Sequence, residues 1–295
     1  MKLVSYEQAG QWRPGVLVQT SVYDADTLLR AERGTAAPVL GSMRSLLQEY
    51  GGTLQGLSGR VDALAASQPG ARVGDLGTLR LGPPVTDPAK VLCIGLNYKD
   101  HVAETGRALP THPDIFTKYA STLIGPSDDI LCSKITSNLD FEGEMAIVIG
   151  RPCRNVPEAD ALDYVAGVTV LNDITARDLQ YRGTQWLPGK AVDASTPVGP
   201  ALVTLDEVVD VQALEIRTLV NGQEVQHSNT RLMIFPVRKL VAYISFFLEL
   251  SPGDIITTGT PQGIGAKRQP PLWLKPGDVV EVALGSVGSL RNMVC

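Results

Sequence analysis

The sequence predicts an α+β protein, predominantly β, with helices at its periphery. Two observations carry this. From Lys90 onward the apolar runs are short and bounded by Gly, Pro, Asn and Asp: VLCIGL, MAIVIG, YVAGVTVLND, PALVTL, LEIRTLV, DIITTG and DVVEVAL. Runs of that length and punctuation read as strands. Asn221-Gly222, flanked by IRTLV and QEVQH, is the clearest hairpin signal, because both central positions of the tight turn that suits twisted strands need positive φ.

Taken in order, LVSYE and GVLVQT predict a strand pair at the start of the chain. The apolar spacing of DADTLLRAERG and VLGSMRSLLQEYGG is helical. The Pro-rich segment RLGPPVTDPAK is the best candidate boundary, dividing a small N-terminal domain, 1–85, from a larger one, 86–295. The strand-like runs follow, and FPVRKLVAYISFFLEL is the clearest helix, stopped at Pro252-Gly253.

The chain has 295 residues, is 44% hydrophobic and 19% charged, and carries a net charge of -5, a balance that fits a soluble globular protein and gives no reason to expect nucleic acid as a partner. No apolar run approaches the ~18 residues of a membrane span. The N-terminus MKLVSYEQAGQWRPG has no apolar core of a secretory signal, so a cytoplasmic location is expected. Cys93, Cys132, Cys153 and Cys295 form no CxxC pair, which argues against a disulfide framework or a thiolate zinc site. Cys93, inside VLCIG, reads as a small buried side chain.

Chemistry concentrates in a few places. In LDFEGEMAIVIG, Glu142 and Glu144 interrupt an apolar run. On a strand, residues i and i+2 share a face with Cα atoms roughly 6.5–7 Å apart. Taken alone, the pair reads equally as a solvated strand start or as buried acids that need a cation, a proton or a basic partner. Asp173, after the run YVAGVTVLN, adds a third acid where a strand ends. Three carboxylates without nearby His or Cys form a hard-oxygen set, suited to Mg²⁺, Mn²⁺ or Ca²⁺ rather than zinc. Among the histidines, His112 and His227 lie in polar or Pro-bounded loops and read as surface residues. His101, in NYKDHVAETG, has Glu104 one helical turn on, and a carboxylate beside an imidazole suits a base that activates water. A surface ion pair is the other reading of that spacing. Lys118 and Lys190 each follow apolar or turn residues; both are surface lysines or, beside a metal, cations that hold a carboxylate or a developing oxyanion. TGTPQGIG lacks phosphate-loop spacing and reads as a tight loop bringing backbone N–H groups and the Thr260 hydroxyl close to a ligand.

GLNYKDHVAETG, FTKYASTLIGP, LDFEGEMAIVIG, NDITARDLQ, WLPGKAVD, NTRLMIF, GDIITTGTPQGIG and GDVVEVALGSVGSLRN occur in order. Together they closely resemble the fumarylacetoacetate hydrolase family from Lys90 to Cys295. The resemblance implies a mixed β-roll core and a homodimer. It implies that Glu142, Glu144 and Asp173 bind Mg²⁺ or Mn²⁺, that His101 and Glu104 form a water-activating dyad on a lid segment, and that Lys190 is the active-site lysine. Lys118, Arg177, Gln180 and Thr260 match positions that line the substrate pocket. The N-terminal 85 residues are similar to a small variable domain of bacterial members. One departure is Val192, where relatives often carry an aromatic residue two positions after the lysine; it bears on the shape of the pocket floor.

The activity so implied is hydrolysis of the C–C bond of a 2,4-diketo acid, such as an acylpyruvate, to pyruvate and a carboxylic acid. Oxaloacetate decarboxylation or tautomerisation, and dehydration of a 2-keto-3-deoxy sugar acid, are the alternatives on the same site. A non-catalytic metal-binding module would be expected to lack the dyad, the lysine or a ligand, and all are present. Tyr98, Tyr119, Arg182 and Trp186 are the expected selectors of the acyl group.

Overall fold

Strand Gly143–Ile149 is buried at every residue, so it must be covered on both faces. The computed structural model, which describes residues 1–34, 37–131 and 134–295, shows how. Cys132 lies outside the described residues. A mixed sheet of twelve strands among the described residues runs Arg72–Asp75, Ser21–Asp24, Gln11–Val18, Lys2–Gln8, Thr196–Thr204, Val165–Asn172, Gly143–Ile149, Ile255–Thr257, Val91–Gly95 and Asp114–Lys118. Leu81–Gly82 joins beside Lys2–Gln8, and Leu123–Ile124 beside Thr196–Thr204. Pairing is antiparallel except for Ile255–Thr257 with Val91–Gly95, and Leu123–Ile124 with Thr196–Thr204.

Alternation then sorts the central strand's side chains. Met145, Ile147 and Ile149 face a core shared with the helix Val237–Phe247 and with Ile216 and Val282 of a second, four-stranded sheet. Ala146 and Val148 face the other core, filled by Leu28, Leu29, Leu46 and Leu47 from the N-terminal helices Ala25–Arg33 and Met43–Tyr50. The N-terminal segment is hydrogen-bonded into the same sheet, with Lys2 opposite Val203 and Leu3 opposite Leu202. The Pro-rich stretch after it is buried from Gly82 to Val85.

The second sheet runs Gln223–Asn229, Glu215–Val220, Val279–Leu284 and Gly288–Met293. Its first hairpin turns at Asn221-Gly222, with φ of 51° and 78°, as the dipeptide predicts. The long helix begins at Val237 behind Pro236 and ends at Phe247, three residues short of the periodic stretch. A predominantly β protein with peripheral helices is what the run pattern predicts. No helix is long and apolar enough to cross a membrane among the described residues.

Candidate active site and metal centre

The run LDFEGEMAIVIG forms two strands, Leu139–Asp140 and Gly143–Ile149, with Phe141 and Glu142 between them. Pairing with Val165–Asn172 sets Gly143 opposite Asn172, so the residues just beyond, Glu142 and Asp173, meet at the ends of these two central strands. The Asp173 amide donates to the Glu142 carbonyl at 2.8 Å, and the Asn172 side chain accepts from the Glu142 amide at 3.0 Å. Glu144 faces the same place from within the strand. Between the two glutamates, a Cβ on Gly143 would meet Thr218 Oγ1 at 2.3 Å, so only glycine lets the second sheet pack this closely.

Glu142, Glu144 and Asp173 are all buried, and each offers a carboxylate oxygen within 4.8 Å of the other two. Burial removes the solvated-strand-start reading of the glutamates. Lys190 Nζ lies 2.8 Å from both Glu142 Oε2 and Asp173 Oδ2. Lys118 Nζ is 2.8 Å from Asp173 Oδ1, at an angle outside hydrogen-bond geometry, so that oxygen has an ionic neighbour but accepts no hydrogen bond. A buried oxygen left in that state, in a set of hard donors only, fits a divalent cation such as Mg²⁺, Mn²⁺ or Ca²⁺.

The electrostatics are strongly divided. Burial favours the protonated form of Glu142, yet Lys190 and Arg177 bring its pKa down to about 2. Burial, together with the negative charges of Asp173 and Glu142, pushes Glu144 well above the usual carboxylate range. Burial also works against the Lys190 ammonium, but Asp173 and Glu142 outweigh it and hold the lysine protonated.

A pocket of about 260 Å³ opens in front of these groups, and Glu142, Lys190, His101, Arg177, Gln180 and Thr260 all line it. His101 is on the helix Lys99–Thr105, with Nδ1 3.1 Å from Glu104 Oε2. The other Glu104 oxygen accepts from the Gly263 amide at 2.9 Å. Gly263 has φ +101°, and a Cβ there would lie 2.2 Å from the Val225 carbonyl oxygen, so the amide reaches Glu104 only because this residue is glycine.

Several expectations change. Lys118 does not line the pocket: its side chain is fully buried behind Asp173, donating to Thr196 Oγ1 at 2.9 Å and to the Lys190 carbonyl. It lies against the carboxylate cluster, on the side away from the pocket lining. Arg177 lines the pocket, but its guanidinium is divided among Asp140 (2.9 Å), Gln180 (3.0 Å) and Glu142 (2.5 Å). Thr260 lines the pocket with its hydroxyl already donating to the Gly143 carbonyl at 3.0 Å. The amides of TGTPQGIG serve the protein's own carboxylates: Gly259 binds Glu144, Gly263 binds Glu104, and Gly265 binds Asp140. Glu144 and Asp140 are buried away from water, so each inward-turned amide satisfies an oxygen that solvent does not reach. Of the expected selectors, only Trp186 lines the pocket; Tyr98 is buried in the core, and Tyr119 and Arg182 lie outside the lining.

Asp140 is a further acid at the site, beyond those the sequence reading names. It is fully buried and accepts from Gly265 (2.7 Å), Phe141 (2.9 Å), Ala266 (3.0 Å) and Arg177 (2.9 Å). The period-two spacing Asp140, Glu142, Glu144 is the signal that points to it. His112 and His227 are exposed, the latter 2.7 Å from Glu215. Cys93 is fully buried, and burial pushes its thiol up.

Comparison with known proteins places this geometry. The family described as fumarylacetoacetate (FAA) hydrolase, C-terminal, matches residues 90–295. A mitochondrial oxaloacetate tautomerase of Xenopus laevis is 47% identical over 213 residues, covering 72% of this chain and 67% of that protein. A 2,4-didehydro-3-deoxy-L-rhamnonate hydrolase of Sphingomonas sp. (strain SKA58) is 40% identical over 300 residues, covering 100% of this chain and 96% of that protein. Among solved structures, maleylpyruvate hydrolase from Sphingobium sp. SYK-6, in complex with manganese(II) and pyruvate, superimposes with a TM-score of 0.77 at 30% identity, covering 100% of this chain and 98% of that one. With a match over residues 90–295 and a relative aligned along its whole length, this chain belongs to the fumarylacetoacetate hydrolase family.

Proposed function

We propose that the protein hydrolyses the carbon–carbon bond of a 2,4-diketo acid, taking up one water and releasing pyruvate and a carboxylic acid. The observation that carries this reading is the His101–Glu104 pair, set in the same pocket as Lys190 and Glu142. Decarboxylation or tautomerisation has no need of a group that activates water. Glu142, Glu144 and Asp173 would hold Mg²⁺ or Mn²⁺, with Ca²⁺ also suited. Such an ion supplies Lewis-acid polarisation of the α-keto acid end and stabilises enolate charge.

The protein's own groups do the rest. Glu104, fixed by the Gly263 amide, holds the Nδ1 proton of His101. Nε2 is then the basic nitrogen, able to take a proton from water as that water attacks the distal carbonyl. The protonated Lys190 offers positive charge to the oxyanion of the departing pyruvate enolate. Arg177, Gln180 and Thr260 line the pocket that would hold the substrate. Assembly as a homodimer and a cytoplasmic location are part of the same proposal.

A second reading is favoured by the 47% identity to oxaloacetate tautomerase. There His101 or Lys190 would move one proton between carbon and oxygen of oxaloacetate, with no bond to water. Pyruvate release from a panel of acylpyruvates, with Mn²⁺, Mg²⁺ or EDTA, separates the two. Hydrolysis predicts metal-dependent release that falls by about 10²–10⁴-fold in His101→Ala while Mn²⁺ still binds. Loss of the oxaloacetate enol absorbance with no acylpyruvate turnover would select the tautomerase reading.

A further inference from the structure

The strand Gln223–Asn229 lies at the edge of the second sheet, and the proposed chemistry gives it no part. Gln226 and Ser228 stand two residues apart and so share one face of it, and both are buried. Neither lines the pocket that holds Glu142, His101 and Lys190.

A buried side-chain amide has an acceptor end and a donor end to satisfy, and Gln226 sets each on a different part of the site. Its Oε1 accepts from the Gly143 amide at 3.0 Å, between the two glutamates. Its Nε2 donates to Thr260 Oγ1 at 2.9 Å and to the Pro261 carbonyl at 3.0 Å. Thr260 in turn donates to the Gly143 carbonyl, which closes a ring between the acid strand and the loop. That loop carries the Gly259 amide to Glu144 and the Gly263 amide to Glu104. The helix of the dyad meets the same strand, where Ser228 donates to Asp100 Oδ2 at 3.3 Å. Only an amide fits between these partners: a carboxylate would set an oxygen against the Pro261 carbonyl, and a thioether would leave the Gly143 N–H without a good acceptor.

We propose that Gln226 is a positioning residue that sets the spacing between the acid cluster and the His101–Glu104 dyad. It would thereby fix where the base stands relative to a keto acid held on the cluster. This rests on the reading that His101 activates water, and adds a residue that acts on it through Thr260 and Gly263.

The test replaces Gln226 with Met, which keeps the length of the side chain and removes the amide. Arg268 donates to the Gly263 and Val225 carbonyls, so the loop keeps an outer tie to the strand in that variant. In pyruvate release with Mg²⁺, kcat should fall about tenfold to a hundredfold while KM moves less than about threefold, the pattern of a misplaced base in an intact pocket. A second readout needs no turnover. The His101 Nδ1 proton, held by Glu104, should give a downfield resonance in histidine-labelled protein with Mg²⁺, while His112 and His227 are exposed and exchange theirs with water. That resonance should shift or broaden in Gln226→Met. Gln226→Asn, one methylene short, should lose the rate and the resonance position as well, and it decides the matter if the Met variant does not fold. A folded variant with wild-type kcat, a loss confined to KM, a resonance that does not move, or full recovery in Gln226→Asn would each overturn the proposal. If the wild type releases no pyruvate from any acylpyruvate, hydrolysis fails and the resonance alone decides the role of Gln226.

Discussion

Lys118 is a buried charge that sits against the acid cluster without lining the pocket. It is fully buried beside Asp173, and its other contacts are the Thr196 hydroxyl and backbone carbonyls. Removing one partner of a buried ion pair costs about 3–5 kcal/mol when the other is left with no cation; Asp173 keeps Lys190 on its second oxygen, which sets the loss near the lower end of that range. Lys118→Met should therefore lower the unfolding free energy of the metal-free protein by about that amount, read by denaturant titration. Added Mn²⁺ should recover more stability in the variant than in the wild type, because a divalent ion would replace the missing positive charge. A loss below about 1 kcal/mol would instead make Lys118 a spectator, as an exposed pair would be. Nothing near Lys118 in the sequence distinguishes a pocket-lining lysine from one behind the pocket, since that depends on which side of Asp173 the strand Asp114–Lys118 falls. Glu142, Glu144 and Asp173 were more legible, because strand alternation and a strand end are local patterns.

At the scale of elements, the helix Ala25–Arg33 begins on Asp24, whose side chain accepts from the Thr27 amide at 2.8 Å and its hydroxyl at 2.7 Å. Tyr6 donates to the same carboxylate at 2.7 Å and Arg13 at 3.2 Å, so the cap also ties the helix to the first two strands. Burial opposes the charged form of Asp24, but these donors and Arg13 prevail and hold its pKa below the ordinary carboxylate range. A carboxyl with a depressed folded-state pKa contributes stability that is complete above its unfolded pKa and is lost as pH falls through the folded value. Asp24→Ala should cost about 1–3 kcal/mol near neutral pH. The difference from wild type should narrow only below the ordinary carboxylate range, in thermal unfolding followed against pH. A gap that stayed constant into strong acid would assign the loss to packing. Helix and strand were both readable here from periodicity, while the cap's second duty, to Tyr6 and Arg13, depends on a tertiary contact.

For the whole molecule, the acid cluster sits where the two central strands of the large sheet, Gly143–Ile149 and Val165–Asn172, end together. The strand texture was legible, but the course of the sheet was not: the pairing of Lys2–Gln8 with Thr196–Thr204 joins chain segments that no local pattern connects. Because the cluster draws on the sheet's centre, an ion that binds it binds the folded state alone, and its binding energy adds to global stability. At about a hundred times its Kd, such a ligand adds about 2.7 kcal/mol. For a chain of 295 residues that raises the unfolding midpoint by roughly 4–5 °C. EDTA-treated protein should therefore melt lower, recover with Mn²⁺ or Mg²⁺, and show no recovery in Asp173→Asn, which weakens the donor set without changing its size. Recovery that survived Asp173→Asn would move the ion to another site, and no recovery with either ion in the wild type would leave Lys190 as the cluster's resident cation. Lys190 already touches two of the three acids, so an entering ion competes with its ammonium for Glu142 and Asp173. The size of the measured shift reads the balance of that competition.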